Sequence, residues 1–276
     1  MRPPVVIGGV GGSGTRVVAT ILRATGHHIG VDVNESLDDL THVLLFTRRD
    51  IADVSAPAFE RLARAYLAFR AGAPVEQARD AIYRDAVATC DLGDLTWRME
   101  RARTALRRRP RPGTVERPWG WKVPDAHITL DRWRAIVPDL RYVHVVRNGL
   151  DMAFSANQQQ LRRFGDRMID SAPTDTGPAR ALRYWCTVQR RASARARAMG
   201  AHAYHFVNYD RLCAQPLPEL AALLRFLGVR RAWRHLDDLA ATIRRPASIG
   251  RFRGYDRRQF APDDVAYVAR LGFEVE

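Results

Sequence analysis

The most informative part of the chain is Val5–Arg16, which reads VVIGGVGGSGTR. An apolar run typical of a buried strand passes into a glycine-rich turn, and a helical pattern starts at Thr15. Glycines let a backbone approach a ligand closely and adopt positive φ at little cost. The helix N-terminus adds unpaired N–H groups and the positive end of the helix dipole. The segment therefore predicts a binding site for an anion, most often a phosphate.

Two known phosphate-binding loops fit this turn in part, and they favour different functions. Gly9–Gly14 matches G-x-G-x-x-G, and Asp32 lies 18 positions after Gly14, where an acid that binds a ribose would stand. The same spacing fits the start of G-x-x-x-x-G-K-[ST], but Thr15 replaces the lysine and Arg16 the hydroxyl residue. That replacement disfavours a kinase-like enzyme. The loop by itself indicates a phosphate and leaves open which one.

Length and composition bound the class of protein. The 276 residues suffice for one sizeable α/β domain or two small ones, and 46% hydrophobic content is ordinary for a globular protein. Three cysteines without paired spacing predict reduced thiols. No apolar run approaches the roughly 18 residues of a membrane span, and the first residues make a poor signal peptide. We therefore expect a cytoplasmic protein with no membrane span.

The chain is strongly basic, and nearly all of its basic residues are arginines. The formal net charge is +14, and Lys122 is the only lysine among 44 basic residues. Such basicity favours a polyanionic ligand, although arginines in helical runs are usually solvated faces. Where nearly every basic position is arginine, a surviving lysine suggests a need for a compact ammonium group.

Strand and helix patterns alternate along the rest of the chain. After the first strand, strands are predicted over 26–33, 119–123, 141–146 and 203–207. Helices are predicted over 35–47, 57–71, 75–88, 95–109, 125–136, 150–161, 179–199 and 217–227. This alternation predicts an α/β fold of three layers, with a central, mostly parallel sheet and a single domain over 1–276. The helical block at about 50–115 is expected to be an insertion that covers or extends the ligand cleft.

Polar residues follow three of the predicted strands. The glycine-rich turn follows the first strand. Lys122 stands at the end of the strand over 119–123, before Val123-Pro124, and the segment Arg147–Ser155 follows the strand over 141–146. Ligands of parallel sheets gather at the carboxyl ends of the strands. If 150–161 is helical, Ser155 lies about a turn and a half into the helix, so that Arg147 and Ser155 reach one phosphate.

At these positions the chain resembles the sulfotransferase superfamily, whose donor is 3′-phosphoadenosine-5′-phosphosulfate (PAPS). In that family a P-loop-like strand–loop–helix with Ser-Gly-Thr grips the 5′-phosphosulfate, and Ser13–Thr15 match it. A strand-end lysine neutralises the bridging and sulfuryl oxygens, which Lys122 resembles. A strand ending in R-[ND]-x-x-[DR]-x-x-x-S binds the 3′-phosphate, and Arg147–Ser155 fits this pattern.

Two later segments are similar to the family as well. Asn208–Leu212, followed by Pro216, resembles the segment Y-[ED]-x-L, whose tyrosine lies near the donor. Ser248–Arg253 resembles the late basic loop that closes over the nucleotide. The resemblance implies that the donor contacts are Gly11, Gly12, Ser13, Gly14, Thr15, Arg16, Arg147, Ser155, Tyr209, Ser248, Arg251 and Arg253.

The chain also departs from the family pattern. Gly12 stands where a lysine or arginine usually precedes Ser-Gly-Thr, and Arg16 is the candidate to replace that charge. Pro124 stands where cytosolic members have a catalytic histidine. Other branches use a glutamate shortly after the first helix, and Glu35 occupies a comparable place. Rival candidates for the base are His28, Asp32, Asp125 and His127.

Together these features predict a bacterial-type, metal-independent sulfotransferase that uses PAPS and releases adenosine 3′,5′-bisphosphate (PAP). Lys122 is expected to stabilise the leaving phosphate, and Glu35 to remove the proton of a hydroxyl or amine acceptor. The acceptor, whether small molecule, glycan or peptide, and the oligomeric state are left open; no specific nucleic-acid partner is expected. The alternatives are an NAD(P)-dependent oxidoreductase, a non-catalytic binder of polyanions or nucleic acid, and a fold that has lost catalysis.

Overall fold

The computed structural model describes residues 3–73, 77–107, 117–169, 177–229 and 234–276. Five strands form a parallel sheet in the order β2-β3-β1-β4-β5, flanked by helices, so the predicted α/β class is confirmed. The strands are β1 (Val5–Gly9), β2 (His28–Ile29), β3 (Trp119–Lys122), β4 (Arg141–Val146) and β5 (Tyr204–Asn208).

Helices connect and cover the strands, as the alternating pattern predicts. They are α1 (Thr15–Ala24), α2 (Leu40–Phe46), α3 (Ala56–Ala71), α4 (Gln77–Thr89), α5 (Leu95–Arg107), α6 (Ala126–Ile136), α7 (Gly149–Ala153), α8 (Gln159–Met168), α9 (Pro178–Met199), α10 (Tyr209–Ala214), α11 (Pro216–Leu227), α12 (Leu236–Ala241) and α13 (Pro262–Arg270). Every residue of β1 is buried, as expected for a strand that is covered on both faces of a parallel sheet.

The predicted helix over 150–161 is wrong, because the chain leaves the helix after Ala153 and starts a new one at Gln159. Side chains replace the helical hydrogen bonds in between. Ser155 Oγ accepts from the backbone N–H of Asn157 at 3.2 Å, and Gln158 Nε2 donates to the carbonyl of Met152 at 3.0 Å. Such local bonds of serine and amide side chains compete with a regular helix.

The predicted helix over 35–47 starts late, at Leu40, because a turn comes first. Asn34 Oδ1 accepts from the N–H groups of Ser36 and Asp38, both at 2.9 Å, which closes the turn. Asp39 then caps α2 through the N–H of His42 at 3.0 Å. The predicted strand over 26–33 is likewise shorter, with only His28–Ile29 in the sheet.

The chain divides into two compact units. The first unit holds the residues up to Ile7 together with Leu22–Arg141, and it includes α3, α4 and α5; the insertion at about 50–115 stays a prediction. The second unit holds Gly8–Ile21 and Tyr142–Glu276. The single domain over 1–276 stays a prediction. Within the described ranges, no helix combines the length and the apolar character that a membrane crossing requires.

Candidate functional site

The glycine-rich loop of the second unit adopts backbone conformations that favour glycine. Gly12 and Gly14 have φ values of +91° and +97°. A Cβ atom on Gly14 would lie 2.2 Å from the ring of Tyr209, so the loop and this tyrosine are in close contact. Ser13 is 1% exposed, and its Oγ has no hydrogen-bond partner among the described residues. A buried hydroxyl without a partner beside a helix N-terminus suits an anionic ligand.

Arg147 connects this loop to the end of the chain. It follows β4 and is 5% exposed. Its Nη1 lies 3.4 Å from the carbonyl of Gly12, and its Nη2 donates to Ser248 Oγ at 2.8 Å. The guanidinium carbon is 5.8 Å from the ring centroid of Tyr209, and Nε has no partner within the described ranges. The structure thus brings together four elements that the sequence predicts for one donor site.

Ser155 lies near the same loop, in the segment that follows α7. Its Oγ would lie 3.6 Å from a Cβ atom on Gly12, and the methyl group of Met152 would lie at 3.4 Å. The side chain is half-buried, directly after α7. Ser155 and Arg147 therefore both lie beside Gly12, which replaces the basic residue of the family pattern.

Asp151 holds the basic segment at 248–253 in place, and the sequence analysis predicted no function for it. Asp151 is 1% exposed, and its carboxylate accepts from the N–H groups of Gly250 at 2.8 Å and Phe252 at 3.1 Å. Asp151 also lies 3.9 Å from Arg147. The signal was present in the sequence, since the aspartate is part of the motif that begins at Arg147.

The two arginines of this segment point to different partners. Arg251 donates to the carbonyls of Ser248 and Phe154, and burial together with Arg147 lowers the pKa of its guanidinium. Arg253 instead donates to the carbonyl of Glu276 at 3.1 Å and pairs with Glu274. The structure therefore brings Arg251 to Ser248 and to the Phe154 carbonyl beside Ser155, but gives Arg253 partners in the C-terminal segment.

Tyr209 remains a neutral phenol at physiological pH. Burial raises the pKa of its hydroxyl to about 12, with Cys213 adding to the shift. The hydroxyl therefore keeps its proton and is able to donate a hydrogen bond. Arg16, by contrast, lies exposed on the first turn of α1.

The first unit contributes a buried ion pair at the end of β3. Lys122 has a side chain only 3% exposed, and its Nζ donates to Asp38 Oδ1 at 2.6 Å. Its carbonyl accepts from the N–H of Asp39 at 3.1 Å. In the sheet Lys122 pairs with Ile7, the last apolar residue of β1 before the glycine run. The predicted strand-end lysine is thus at a strand end, with an anionic partner.

The turn that presents Asp38 also carries the predicted base. Asn34 Nδ2 donates to Asp38 Oδ2 at 3.2 Å, and Leu37 has a φ of +62°, which is unusual for a leucine. Glu35 is exposed on this turn. Sequence reasoning missed Asp38, although it follows Glu35 by three positions in the same loop.

Three of the rival candidates for the base are paired or buried in the first unit, and the fourth, Asp125, is half-buried. Asp32 accepts from Arg101 Nη1 at 2.7 Å, and His28 Nδ1 lies 2.9 Å from Arg70 Nη1. His127 is 3% exposed in α6, and Asp125 lies at the N-terminus of that helix. Across the described ranges, no group of three or more histidine, cysteine or acidic side chains is arranged to hold a metal ion.

The strand order bears on the dinucleotide alternative. In the nucleotide-binding order 3-2-1-4-5, the second strand of the chain lies next to the first. Here β3 lies between β1 and β2. Together with the ion pair between Asp32 and Arg101, this disfavours a ribose-binding role for Asp32.

One family model matches most of the chain. A family model described as "Sulfotransferase family" matches residues 3–234. Among solved structures, a sulfotransferase from Mycobacterium tuberculosis H37Rv is 16% identical, with a TM-score of 0.49 over 98% of this chain and 77% of that one. The sulfotransferase domain of the olefin synthase from Synechococcus PCC 7002 is 17% identical, with a TM-score of 0.48 over 100% of this chain and 98% of that one.

A third solved structure is the sulfotransferase domain of the curacin biosynthetic pathway. It is 13% identical, with a TM-score of 0.49 over 99% of both chains. No curated protein matches the sequence.

Proposed function

We propose, from the premise that this chain belongs to the sulfotransferase family, that it transfers a sulfuryl group from PAPS to a hydroxyl or amine acceptor. The observation that carries the proposal is the contact of Arg147 with both the glycine-rich loop and Ser248. This arrangement combines a buried cation, loop N–H groups and hydroxyls, which is the donor set that a phosphorylated nucleotide requires.

In the proposal, the residues from Gly11 to Thr15 bind the 5′-phosphosulfate of the donor, and Arg16 adds positive charge on the first helical turn. Two buried atoms without a partner in the described part of the chain, Ser13 Oγ and Arg147 Nε, support an anionic ligand here. A second set of residues binds the 3′-phosphate and the nucleotide. That set is Arg147, Ser155, Tyr209, Ser248, Arg251 and Arg253.

The transfer forms one bond to sulfur and breaks another. The acceptor oxygen or nitrogen attacks sulfur, the bond from sulfur to the bridging phosphate oxygen breaks, and PAP leaves with that electron pair. Lys122 stabilises the negative charge that develops on the leaving phosphate. Glu35 accepts the proton of the acceptor. Positioning and charge stabilisation suffice for such a transfer, as in phosphoryl transfer.

Asp38 has a supporting role in this proposal as a positioning residue. A buried ammonium group needs a counter-charge, because burial of an isolated ion costs several kcal/mol. Asp38 supplies that charge at 2.6 Å and holds Nζ in a single place before the donor binds.

The experiment that tests the proposal is calorimetry of PAP binding, with NAD and Mg-ATP titrated at the same salt concentration. We expect selective, micromolar binding of PAP to the wild-type protein and to Arg197→Ala, which removes an exposed arginine of α9. We expect Arg147→Ala to lose this binding. Preferential binding of NAD would support the oxidoreductase instead.

A polyanion binder gives a different result in the same experiment. Its affinity falls steeply with salt and does not distinguish between the three nucleotides. That outcome, with equal affinities in Arg147→Ala and Arg197→Ala, would reject the sulfotransferase proposal.

A further inference from the structure

The interior of the first unit contains two guanidinium groups outside the residues assigned to the donor. Arg70, on α3, is 7% exposed, and Arg79, on α4, is 8% exposed. Arg70 Nη1 lies 2.9 Å from His28 Nδ1, and its guanidinium carbon is 4.8 Å from the ring centroid of Trp119. Arg70 Nε and Arg79 Nη2 have no hydrogen-bond partner among the described residues.

The fully buried carboxylate in this interior does not neutralise both arginines. Asp39 is 0% exposed, and its two oxygens already accept from the His42 N–H and the Tyr66 hydroxyl, each at 3.0 Å. Burial raises the pKa of Asp39, which disfavours its charged form, although Arg70 acts in the opposite direction. A guanidinium group, in contrast, stays charged in proteins. One buried carboxylate therefore accompanies two buried guanidinium groups in this interior.

A third unpartnered donor lies on the same helix face as Arg79. Tyr83 follows it by four positions on α4, so both side chains lie on one face. Tyr83 is 1% exposed, and its hydroxyl has no partner within the described ranges. Burial raises the pKa of Tyr83, so the hydroxyl keeps its proton. Buried donors of this kind are normally satisfied, whereas Arg70 Nε, Arg79 Nη2 and the Tyr83 hydroxyl have no acceptor in the described part of the chain.

Three unpartnered donors, two of them on permanent cations, are complementary to an oxyanion. Guanidinium groups bind carboxylate, phosphate and sulfate through directed hydrogen bonds. We propose that Arg70, Arg79 and Tyr83 bind the acidic group of the acceptor, so that the enzyme sulfates an acceptor that already carries a carboxylate, phosphate or sulfate. This inference rests on the proposed function, because it names the acceptor class of the same transfer.

The anion site is connected to the strand-end lysine within the first unit. Tyr66 and Arg70 are four positions apart on α3, which is about one helical turn. The Tyr66 hydroxyl donates to Asp39, and the N–H of Asp39 donates to the carbonyl of Lys122. Hydrogen bonds therefore link α3, which carries Arg70, to the strand end that carries Lys122.

The test measures sulfate binding by calorimetry in the full-length protein with the substitution Arg147→Ala. That background removes the central cation of the donor site, so sulfate bound there does not obscure the result. In it, Arg79→Gln is expected to weaken sulfate binding by at least about tenfold, and Tyr83→Phe by about three- to tenfold. Arg84→Gln, which removes an exposed arginine of the same helix, is expected to change it less than twofold.

Melting temperatures measured with and without sulfate give a second test of the anion site, which also shows whether a variant is folded. Without sulfate, Arg79→Gln is expected to raise the melting temperature, because it removes an unpaired buried charge. With sulfate, proteins that retain Arg79 are expected to gain more stability than Arg79→Gln does. A lowered melting temperature in Arg79→Gln, or equal sulfate affinity in Arg79→Gln and Arg84→Gln, would overturn the anion site.

A competition experiment tests the acceptor assignment separately. We expect 4-hydroxyphenylacetate to displace sulfate and its uncharged amide to leave sulfate bound. Failure of the carboxylate to displace sulfate would overturn the acceptor assignment and indicate a site for free inorganic anions. The result is independent of the donor, because PAP binding to the wild-type protein tests the proposed function by itself.

Discussion

Lys122 differs from every other basic residue of the chain in chemistry and in setting. It is the only lysine among 44 basic residues, and its Nζ is buried against Asp38. An ammonium group is a compact point charge, whereas guanidinium is a wide planar fork. The side chain of Lys122 is 3% exposed, a setting that suits the more compact group.

We expect Lys122→Ala to lower turnover about 10²–10³-fold, the usual cost of removing one group that stabilises charge in the transition state. Lys122→Arg is expected to recover little of it, because the planar fork does not fit the space of the ammonium group. Turnover is measured as PAP release from PAPS, with Arg84→Ala as the control of equal charge. Wild-type turnover in Lys122→Ala would exclude the residue from the transfer.

Glu35 and Asp38 occupy one turn and are expected to respond differently. Glu35→Gln should reduce turnover about 10²–10⁴-fold and leave PAP affinity unchanged, because a general base acts on the acceptor. Asp38→Asn removes the counter-charge of a buried lysine and should lower the free energy of unfolding by about 1–3 kcal/mol. Turnover, PAP calorimetry and urea unfolding are measured on both variants. Full turnover in Glu35→Gln would shift the base assignment to another residue.

At the scale of elements, the glycine-rich loop depends on close contact as well as on backbone freedom. Gly14 combines a φ of +97° with a Tyr209 ring 2.2 Å from the position of a Cβ atom. Gly26, at the end of α1, has a similar φ of +92° and nothing within 4 Å of that position. Substitutions at these two glycines therefore distinguish the effect of backbone strain from the effect of the contact with Tyr209.

We expect Gly14→Ala and Gly26→Ala each to lose about 1–2 kcal/mol of unfolding free energy from backbone strain. Only Gly14→Ala is expected to weaken PAP binding, by more than about tenfold, because its methyl group displaces Tyr209 or the loop. Chemical denaturation and calorimetry on the pair distinguish the two effects. Equal PAP affinity in both variants would mean that contact between the loop and Tyr209 does not shape the donor site.

The segment at 248–253 depends on another element for its position. Asp151 in α7 accepts from two of its N–H groups, and an asparagine has only one oxygen to replace both. We expect Asp151→Asn to speed hydrogen exchange at Gly250 and Phe252 and to weaken PAP binding about tenfold. Asp237→Asn, at an exposed position of α12, is the control. Unchanged exchange at both amides would contradict the anchoring role.

For the whole molecule, buried histidines predict how stability depends on pH. Burial lowers the pKa of His42 to about 3 and of His27 and His144 to about 4. The folded chain therefore binds fewer protons than the unfolded chain below pH 6.5. Their contribution to stability is present above the unfolded pKa of 6.5 and is lost as the pH falls toward the folded values, by about 1.4 kcal/mol per pH unit for each group.

We expect melting temperatures to fall as the pH is lowered from 7 to 5. His42→Phe is expected to reduce the slope of melting temperature against pH by the contribution of one histidine. The substitution suits the site, because both ring nitrogens of His42 have no partner in the described ranges and its ring stacks on Phe46 at 4.5 Å. His235→Phe, at an exposed position, is the control. An unaltered slope in His42→Phe would show that this histidine binds equally many protons in the folded and unfolded chain, which contradicts a lowered pKa.

Local patterns in the sequence determined the α/β class, the positions of most elements and the motifs at three strand ends. Strand and helix periodicity, glycine turns and short spacings are properties of neighbouring residues, so they are readable without a structure. The helix boundary after Ala153 was misplaced, because the side chains of Ser155 and Gln158 replaced the helical hydrogen bonds.

Only the tertiary structure decided which distant residues meet. The pair of Lys122 and Asp38 joins positions 84 residues apart, and the bond from Arg147 to Ser248 joins positions 101 apart. No local pattern distinguishes the buried Arg70 and Arg79 from the many solvated arginines of an arginine-rich chain. Burial and charge balance arise from packing between elements, and these features carry both the proposed chemistry and the proposed acceptor class.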